Sequence, residues 1–330
     1  LLRKNIRKKI ISENTVFLNS NSSTYTLVEA PLEALKFPVP LFLSPEFIRQ
    51  KQFNSLCSFQ LISTESEVIQ STVSFVIDGN RAMSLPATPF GSFYSDQSLA
   101  FEAAHYFVNA VKEQLRLKGI ESLVVKHFPA CYGKEVHDVF LKAMLAEGFD
   151  KEVEEINQYI NVSNNSFSSF LHESERRRLK KCHQAGFTVE CSTTCDADVW
   201  FDRIVRARTL KGHPLTIDLD GLKKLNAVKP ECYRFFSIKD QDKIIASAVA
   251  IEVLPDVLYY YLPSDEATYQ QYSPMVMLIE ALYEYAQQKS MRTVDLGIST
   301  SGGVLNEGLY HFKSHLGAAD EYKYVLGCYL

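Results

Sequence analysis

The last third of the sequence holds the side chains whose types and spacing are best suited to chemistry. Asp295 lies in the short apolar run Thr293-Val-Asp-Leu296, and a carboxylate at the end of such a strand is a candidate base or a cap for the loop after it. That loop, Gly297 to Gly303, combines hydroxyls with backbone N–H groups suited to a phosphate or a peptide carboxylate. It has neither the GxxxxGK[ST] of a P-loop nor the second glycine of G-x-S-x-G. Glu307, His311 and His315 share one helical face at i, i+4, i+8. The third ligand falls one turn too far to close a tetrahedron, so no metal is expected there, nor at Cys191 and Cys195, which lack a second pair. Upstream, Arg176, Arg177, Arg178, Lys180 and Lys181 crowd into one segment. A helix distributes them around its circumference, so one or two reach any one anion. Arg206, Arg208, Lys211 and His213 could extend that patch.

The elements that must position these residues come in two similar sets. Apolar residues at 101, 104, 107, 108, 111 and 115 predict an amphipathic helix over 99–118. Gly119 ends it, Ser122 to Val125 reads as a buried strand, Glu135 to Glu147 as a second helix closing on Gly148, and Val153 to Val162 as another strand. The end of the chain repeats this order: a helix over 275–288, the strand Thr293 to Leu296, a helix from Leu305 to Leu316 closing on Gly317, and a strand from Glu321 to Tyr329. Lys118 matches Lys289 and Gly148 matches Gly317 in the two registers. Hairpins precede each set, the first turning at Asp78-Gly-Asn80. The expected fold is therefore α+β: two similar units, each with a mixed, mostly antiparallel sheet flanked by helices. The units are expected over 1–162 and 163–330, the polar stretch Asn161 to Ser166 marking the junction.

Bulk properties narrow the class. The chain has 330 residues, enough for two ordinary domains, and a formal net charge of −4, which excludes a global basic field for polyanions. Seven cysteines without a CxxC pair suggest a reducing compartment. No apolar stretch is long enough to span a membrane, so the expected location is cytoplasmic.

The closing run from Asp295 to Ala318, with Phe312-Lys313 before Gly317, resembles the closing motif of tandem GNAT-fold proteins. These include the Fem-type aminoacyltransferases of peptidoglycan cross-bridge synthesis. Pro86-Ala-Thr-Pro-Phe-Gly91, the basic segment from Glu175 to Lys181 and Arg208-Thr-Leu-Lys-Gly-His213 resemble further parts of that family. The resemblance implies two GNAT-like units and an N-acyltransferase. Such an enzyme moves an acyl or aminoacyl group from acyl-CoA or aminoacyl-tRNA to an amine of a small molecule, peptide or cell-wall precursor. It implies that Lys313 and Phe312 lie beside the developing oxyanion and that Tyr310 protonates the leaving group; Asp295, by its place in the strand, is the candidate base. Arg176, Arg177, Arg208, His213, Ser299, Asn306 and Tyr261 are the expected substrate-binding residues. Tyr272, Ser273 and Met275 stand where the family cradles the coenzyme pyrophosphate, although Asp265 to Met275 contains no glycine. The carrier is a co-substrate rather than a resident cofactor, and acyl-CoA and tRNA both stay open. A binding or scaffold protein that keeps the fold without turnover is the alternative.

Overall fold

Ala103, Ala104, Phe107, Val108, Val111 and Leu115 are all buried along one side of a single helix, as the apolar spacing requires. The computed structural model describes residues 16–17, 24–29, 35, 37–210, 215, 217–225 and 227–330; His213 lies outside them. The chain divides into two compact units, one of residues 1–154 with 322–330 and one of residues 155–321.

In the first unit, strands β1 (Val16–Phe17), β2 (Tyr25–Glu29), β3 (Leu56–Ser63), β4 (Ile69–Asp78) and β5 (Arg81–Ser84) pair antiparallel in sequence order, with the short helix α1 (Pro45–Gln50) before β3. The β4–β5 turn needs Gly79, at φ 58°. Helix α2 (Phe101–Leu117) then crosses over to β6 (Ser122–Lys126), which runs parallel to β5. Helix α3 (Lys134–Ala146) follows, and β7 (Asp150–Asn161) begins in this unit. Phe93 packs on Phe107 and Phe140, and Phe90 on Phe128 and Tyr132. Each such ring removed from water stabilises the fold by about 1.5–3 kcal/mol.

The second unit repeats the plan. After helix α4 (Glu173–Gln184) come β8 (Thr188–Ser192), α5 (Ala197–Leu210), α6 (Leu219–Lys223), β9 (Tyr233–Asp240), β10 (Lys243–Leu254) and β11 (Val257–Asp265). Strands β8 to β11 pair antiparallel in order, and α7 (Pro274–Gln288) crosses over to a parallel β12 (Thr293–Ile298). A small hairpin, β13 (Thr300–Ser301) and β14 (Val304–Leu305), leads into α8 (Glu307–His315) and β15 (Ala319–Tyr329). The core of this unit lies between α7 and the sheet, with Val276, Ile279, Leu282 and Ala286 against Ile245, Ala248, Leu258 and Val294. Both units are thus α+β, with mixed, mostly antiparallel strand pairing.

The boundaries differ from those expected at 162/163. β7 from Glu155 onward belongs to the second unit, pairing with β12, while β15 from Tyr322 onward belongs to the first, pairing with β6. Both strands have similar alternating patterns, so either could fill either edge by composition. The cross-strand register decides, and that register is long-range.

Two histidines mark the first core. His127 is fully buried, its ring stacked 4.5 Å from that of His137. Its Nε2–H donates to the His137 carbonyl at 3.1 Å and its Nδ1 accepts from Ser92 Oγ at 2.8 Å. Burial holds both imidazoles below their ordinary value, His127 the further because it is the more completely buried, with the neighbouring His137 adding to the effect.

The unfolded chain takes up these protons near pH 6.5, and the folded chain only at lower pH. Their contribution to stability is therefore complete above pH about 6.5 and is lost as pH falls. The urea midpoint should drop between pH 7.5 and 5.5, and His127→Gln should flatten that dependence. The repeated glycines give a second test. Gly148 and Gly317 both close helices at φ near 80°, but a Cβ on Gly317 would lie 2.5 Å from the Phe170 ring, whereas one on Gly148 meets nothing. Gly148→Ala should cost about 1–2 kcal/mol for its backbone alone, and Gly317→Ala about 1–3 kcal/mol more for overpacking, read by chemical denaturation.

Candidate functional site

Parallel strands β11 and β12 share only three ladder positions, Val257 to Tyr259 against Thr293 to Asp295. Beyond them β11 runs on to Asp265, while β12 continues to Ile298 paired with β7. An opening between two strands results. At its lip β11 is bulged: Tyr261 pairs with Val249 and Ser264 with Ser247, so Leu262 and Pro263 share the place opposite Ala248. Leu262 adopts φ 50°, a left-handed conformation costing about 1–3 kcal/mol that persists only where the surroundings enforce it.

The first unit has the same parallel pair, but its own chain fills the opening. Gly91 N–H donates to the Lys126 carbonyl, Tyr94 and Thr72 exchange backbone bonds, and Lys126 Nζ donates to the carbonyls of Leu85 and Thr88. A Cβ on Gly91 would sit 3.0 Å from the Leu85 nitrogen, so the Pro-Phe-Gly segment serves to plug the strands. Among the described residues, isolated bridges of this kind occur only in the first unit. The candidate site is therefore in the second.

Lys313 reaches the end of β12 from α8. The side chain is buried, and its Nζ donates to the carbonyls of Gly297 at 2.8 Å and Ile298 at 2.9 Å. Gly297, at φ 74° beside the Tyr259 ring, turns the strand end toward the ammonium. Burial pulls the Lys313 amine down to about 7, opposed by the negative charge of Asp295. An ammonium has three donors, and these two carbonyls take up two of them.

Asp295 is also buried and accepts from Gly297 N at 2.8 Å and Asn157 Nδ2 at 3.0 Å. Asn157 donates as well to Glu321 Oε1 at 3.1 Å. The next residue, Gln158, serves the other face of the sheet, since successive strand side chains alternate. Its Nε2 donates to Ser314 Oγ and Asp320 Oδ1, both at 3.0 Å, and to the Tyr310 carbonyl at 3.3 Å, while its Oε1 accepts from Ser299 at 2.6 Å. Gln158 thereby fixes α8, and Lys313 with it. Sequence reasoning passed over both amides; the available signal was two consecutive amides inside a strand, a costly placement unless both are bonded.

The other expected residues are scattered. Tyr310 donates its hydroxyl to Asp320 Oδ2 at 2.5 Å, and Phe312 packs against the core. Asn306 is the N-cap of α8, its side chain accepting from Leu309 N at 3.0 Å. Ser299 faces inward to Gln158. Tyr261 stacks on Tyr259, centroids 5.9 Å apart, and Arg208 in the last turn of α5 acts on the Tyr259 hydroxyl, whose pKa is raised by burial and by Asp295. Arg176 donates to the carbonyls of Ser168 and Leu171 and lines a surface cleft with Lys180, His183 and Glu280. Arg177 is exposed and pairs with Glu173 at 3.5 Å. Ser273, at φ 55°, is the N-cap of α7, with Pro274 after it; the Tyr272 ring lies under Lys181 Nζ at 4.6 Å, and Met275 packs on the core. Among the described residues no cluster of His, Cys, Asp and Glu could hold a metal, and no helix is long and apolar enough to cross a membrane.

Comparison with known proteins bears on the fold. Residues 172–323, just under half of the chain, match the family model described as Acetyltransferase (GNAT) domain. No curated protein matches the sequence. Among solved structures the chain is similar to FemX, at 12% identity and a TM-score of 0.66, over 88% of this chain and 92% of that one. It is also similar to L-PGS from Bacillus licheniformis, at 11% identity and 0.53, over 83% and 84%. A conserved protein of unknown function from Bacteroides thetaiotaomicron VPI-5482 matches at 10% identity and 0.55, over 79% and 83%. At such identities the likeness is one of fold: the protein has a GNAT fold resembling that of Fem-type proteins, and the match to the GNAT domain model falls almost wholly in its second unit.

Proposed function

We propose that the protein is an N-acyltransferase. It moves an acyl or aminoacyl group from an activated carrier, acyl-CoA or aminoacyl-tRNA, to an amine of a small molecule, peptide or cell-wall precursor. Transfer of acyl groups in general is the reading that the GNAT match and the Fem-like fold support. The observation that carries it further is Lys313, a buried ammonium held by two carbonyls at the end of the strand that borders the opening.

In this reading the carrier's carbonyl carbon lies in the opening between β11 and β12. The amine nitrogen attacks it, a C–N bond forms, and the C–S or C–O bond to the carrier breaks. Negative charge gathers on the carbonyl oxygen, and the remaining N–H of Lys313 stabilises it where water is excluded. Asp295, within the field of Lys313, takes the proton that the amine loses. Tyr310, held by Asp320, stands on the same helix as Lys313 and would return a proton to the leaving group. Phe312, packed on the core, would close the apolar side of the site. Ser273, at the start of α7, would face the carrier's phosphates, with Lys181 adding positive charge over the Tyr272 ring and Met275 packed on the core behind them. Neighbouring surfaces bearing Arg176, Arg177 and Arg208 would hold the rest of the substrates.

The test is turnover on a panel of donors, read as free thiol from acyl-CoAs and as label transferred from charged tRNA. Lys313→Ala should lower kcat by about 10²–10³-fold, the usual effect of losing an oxyanion donor; wild-type turnover in that variant would refute the assignment. The pH profile adds a sign. If the ammonium is the active form, kcat falls about tenfold per unit as pH rises above about 7. Lys313→Arg, whose guanidinium stays charged, should retain part of the activity and lose that alkaline limb.

A further inference from the structure

Strand β12 is bulged near its end. Asp295 stands opposite Tyr159 and Gly297 opposite the next residue of β7, Gln158, so Leu296 is the extra residue. A bulge bends and re-aims its strand. The two residues after this one, Gly297 and Ile298, are those whose carbonyls hold the Lys313 ammonium. Gln158 is thus the ladder partner of one wall of that cage, and its side chain is buried.

An amide has two N–H donors and a carbonyl that accepts. The Gln158 carbonyl accepts from Ser299 Oγ at 2.6 Å, and Ser299 follows Ile298 in the chain. The N–H groups go to Ser314 Oγ and Asp320 Oδ1, both at 3.0 Å, with the Tyr310 carbonyl sharing at 3.3 Å. Ser314 follows Lys313, and its own hydroxyl donates to the Tyr310 carbonyl at 2.9 Å. Asp320 takes the Tyr310 hydroxyl on its other oxygen. One amide therefore ties the segment that supplies the carbonyls to the helix that supplies the ammonium. The same amide orients the carboxylate that receives Tyr310.

We propose that Gln158 is the positioning residue of the site: it sets the separation of α8 from the end of β12, and with it the seat of the Lys313 ammonium and the direction of the Tyr310 hydroxyl. Its part in catalysis rests on the acyltransfer reading, whereas the positioning itself does not. Without the amide the cage opens and water takes the place of the carbonyls. The burial that draws the Lys313 amine down to about 7 is then relieved. The negative charge of Asp295, which acts on Lys313 in the opposite sense to burial, remains. Both effects favour the ammonium, so the amine moves upward.

The experiment follows lysine Cε resonances of the isotope-labelled full chain against pH by NMR, with no acyl donor present; the Lys313 signal is the one missing from Lys313→Arg. In the wild type it should titrate at about 7. In Gln158→Leu, which keeps the bulk and deletes the amide, it should rise by about one unit or more toward the ordinary lysine value. Ser299→Ala, which removes one partner and spares the fold if Gln158→Leu does not fold, should move it the same way by less. Gly148→Ala, which destabilises the first unit without touching this network, should leave it in place. On the donor panel Gln158→Leu should lower kcat by about tenfold or more, change KM by about threefold or less, and carry the alkaline limb of kcat upward with the resonance. A Lys313 signal unmoved in Gln158→Leu and Ser299→Ala, or moved as far in Gly148→Ala, would overturn the positioning role. A moved signal with no turnover on any donor would overturn the acyltransferase reading and leave the positioning role standing. Turnover with an unmoved signal would do the reverse.

Discussion

Two parallel strands that pair briefly and then part create a demand that the rest of the molecule must meet. Backbone N–H and C=O groups along the opening need partners, because an unpaired buried peptide group costs about as much as a lost hydrogen bond. The first unit meets the demand with its own chain, laying Gly91 against Lys126 and Tyr94 against Thr72. The second inserts no such segment among its described residues and instead places a bulge, a lysine and a carboxylate around the gap. One architecture therefore gives a closed unit and an open one, and the difference lies in ten residues after β5.

The polar groups at the open end depend on one another. Lys313 would be costly to bury without the carbonyls of Gly297 and Ile298, and those carbonyls turn toward it because Gly297 takes a positive φ. Asp295 holds the Gly297 N–H from the other side of the same turn. Behind them Asn157 and Gln158, neighbours on one strand, anchor opposite faces: the carboxylates on one, α8 on the other. An ammonium and a carboxylate thus approach the end of β12 from two sides of one turn.

The local part of this design was legible in the sequence. Helix spacing, the glycines after each helix and the repeated order of elements are short-range features, and they located α2, α3, α7 and α8 to within a few residues. Lys313 and Asp295 were visible too, because an ammonium and a carboxylate stand out in apolar runs. What escaped was set by register. Nothing near Tyr159 says that it faces Asp295, and nothing near Tyr322 says that the last strand completes the first unit. Residues expected to contact substrate also have local partners: Asn306 caps α8, Ser299 bonds Gln158, and Arg176 holds two carbonyls. Polar side chains near helix ends satisfy backbone groups as readily as ligands, and a sequence does not separate the two.

The strand exchange bears on why Asp295 sits where it does. β12 is flanked by β11 of the same chain segment and by β7, a strand reached from the far end of the preceding unit. Had the last strand stayed beside β12, the residue next to Asp295 would come from the end of the chain, and the amides and tyrosine of β7 would face elsewhere. Bringing β7 in supplies Asn157, Gln158 and Tyr159 together, three consecutive residues that address both faces of the open strand. The duplication provides the frame, and the crossing of its strands supplies the second unit with side chains that its own half of the sequence lacks.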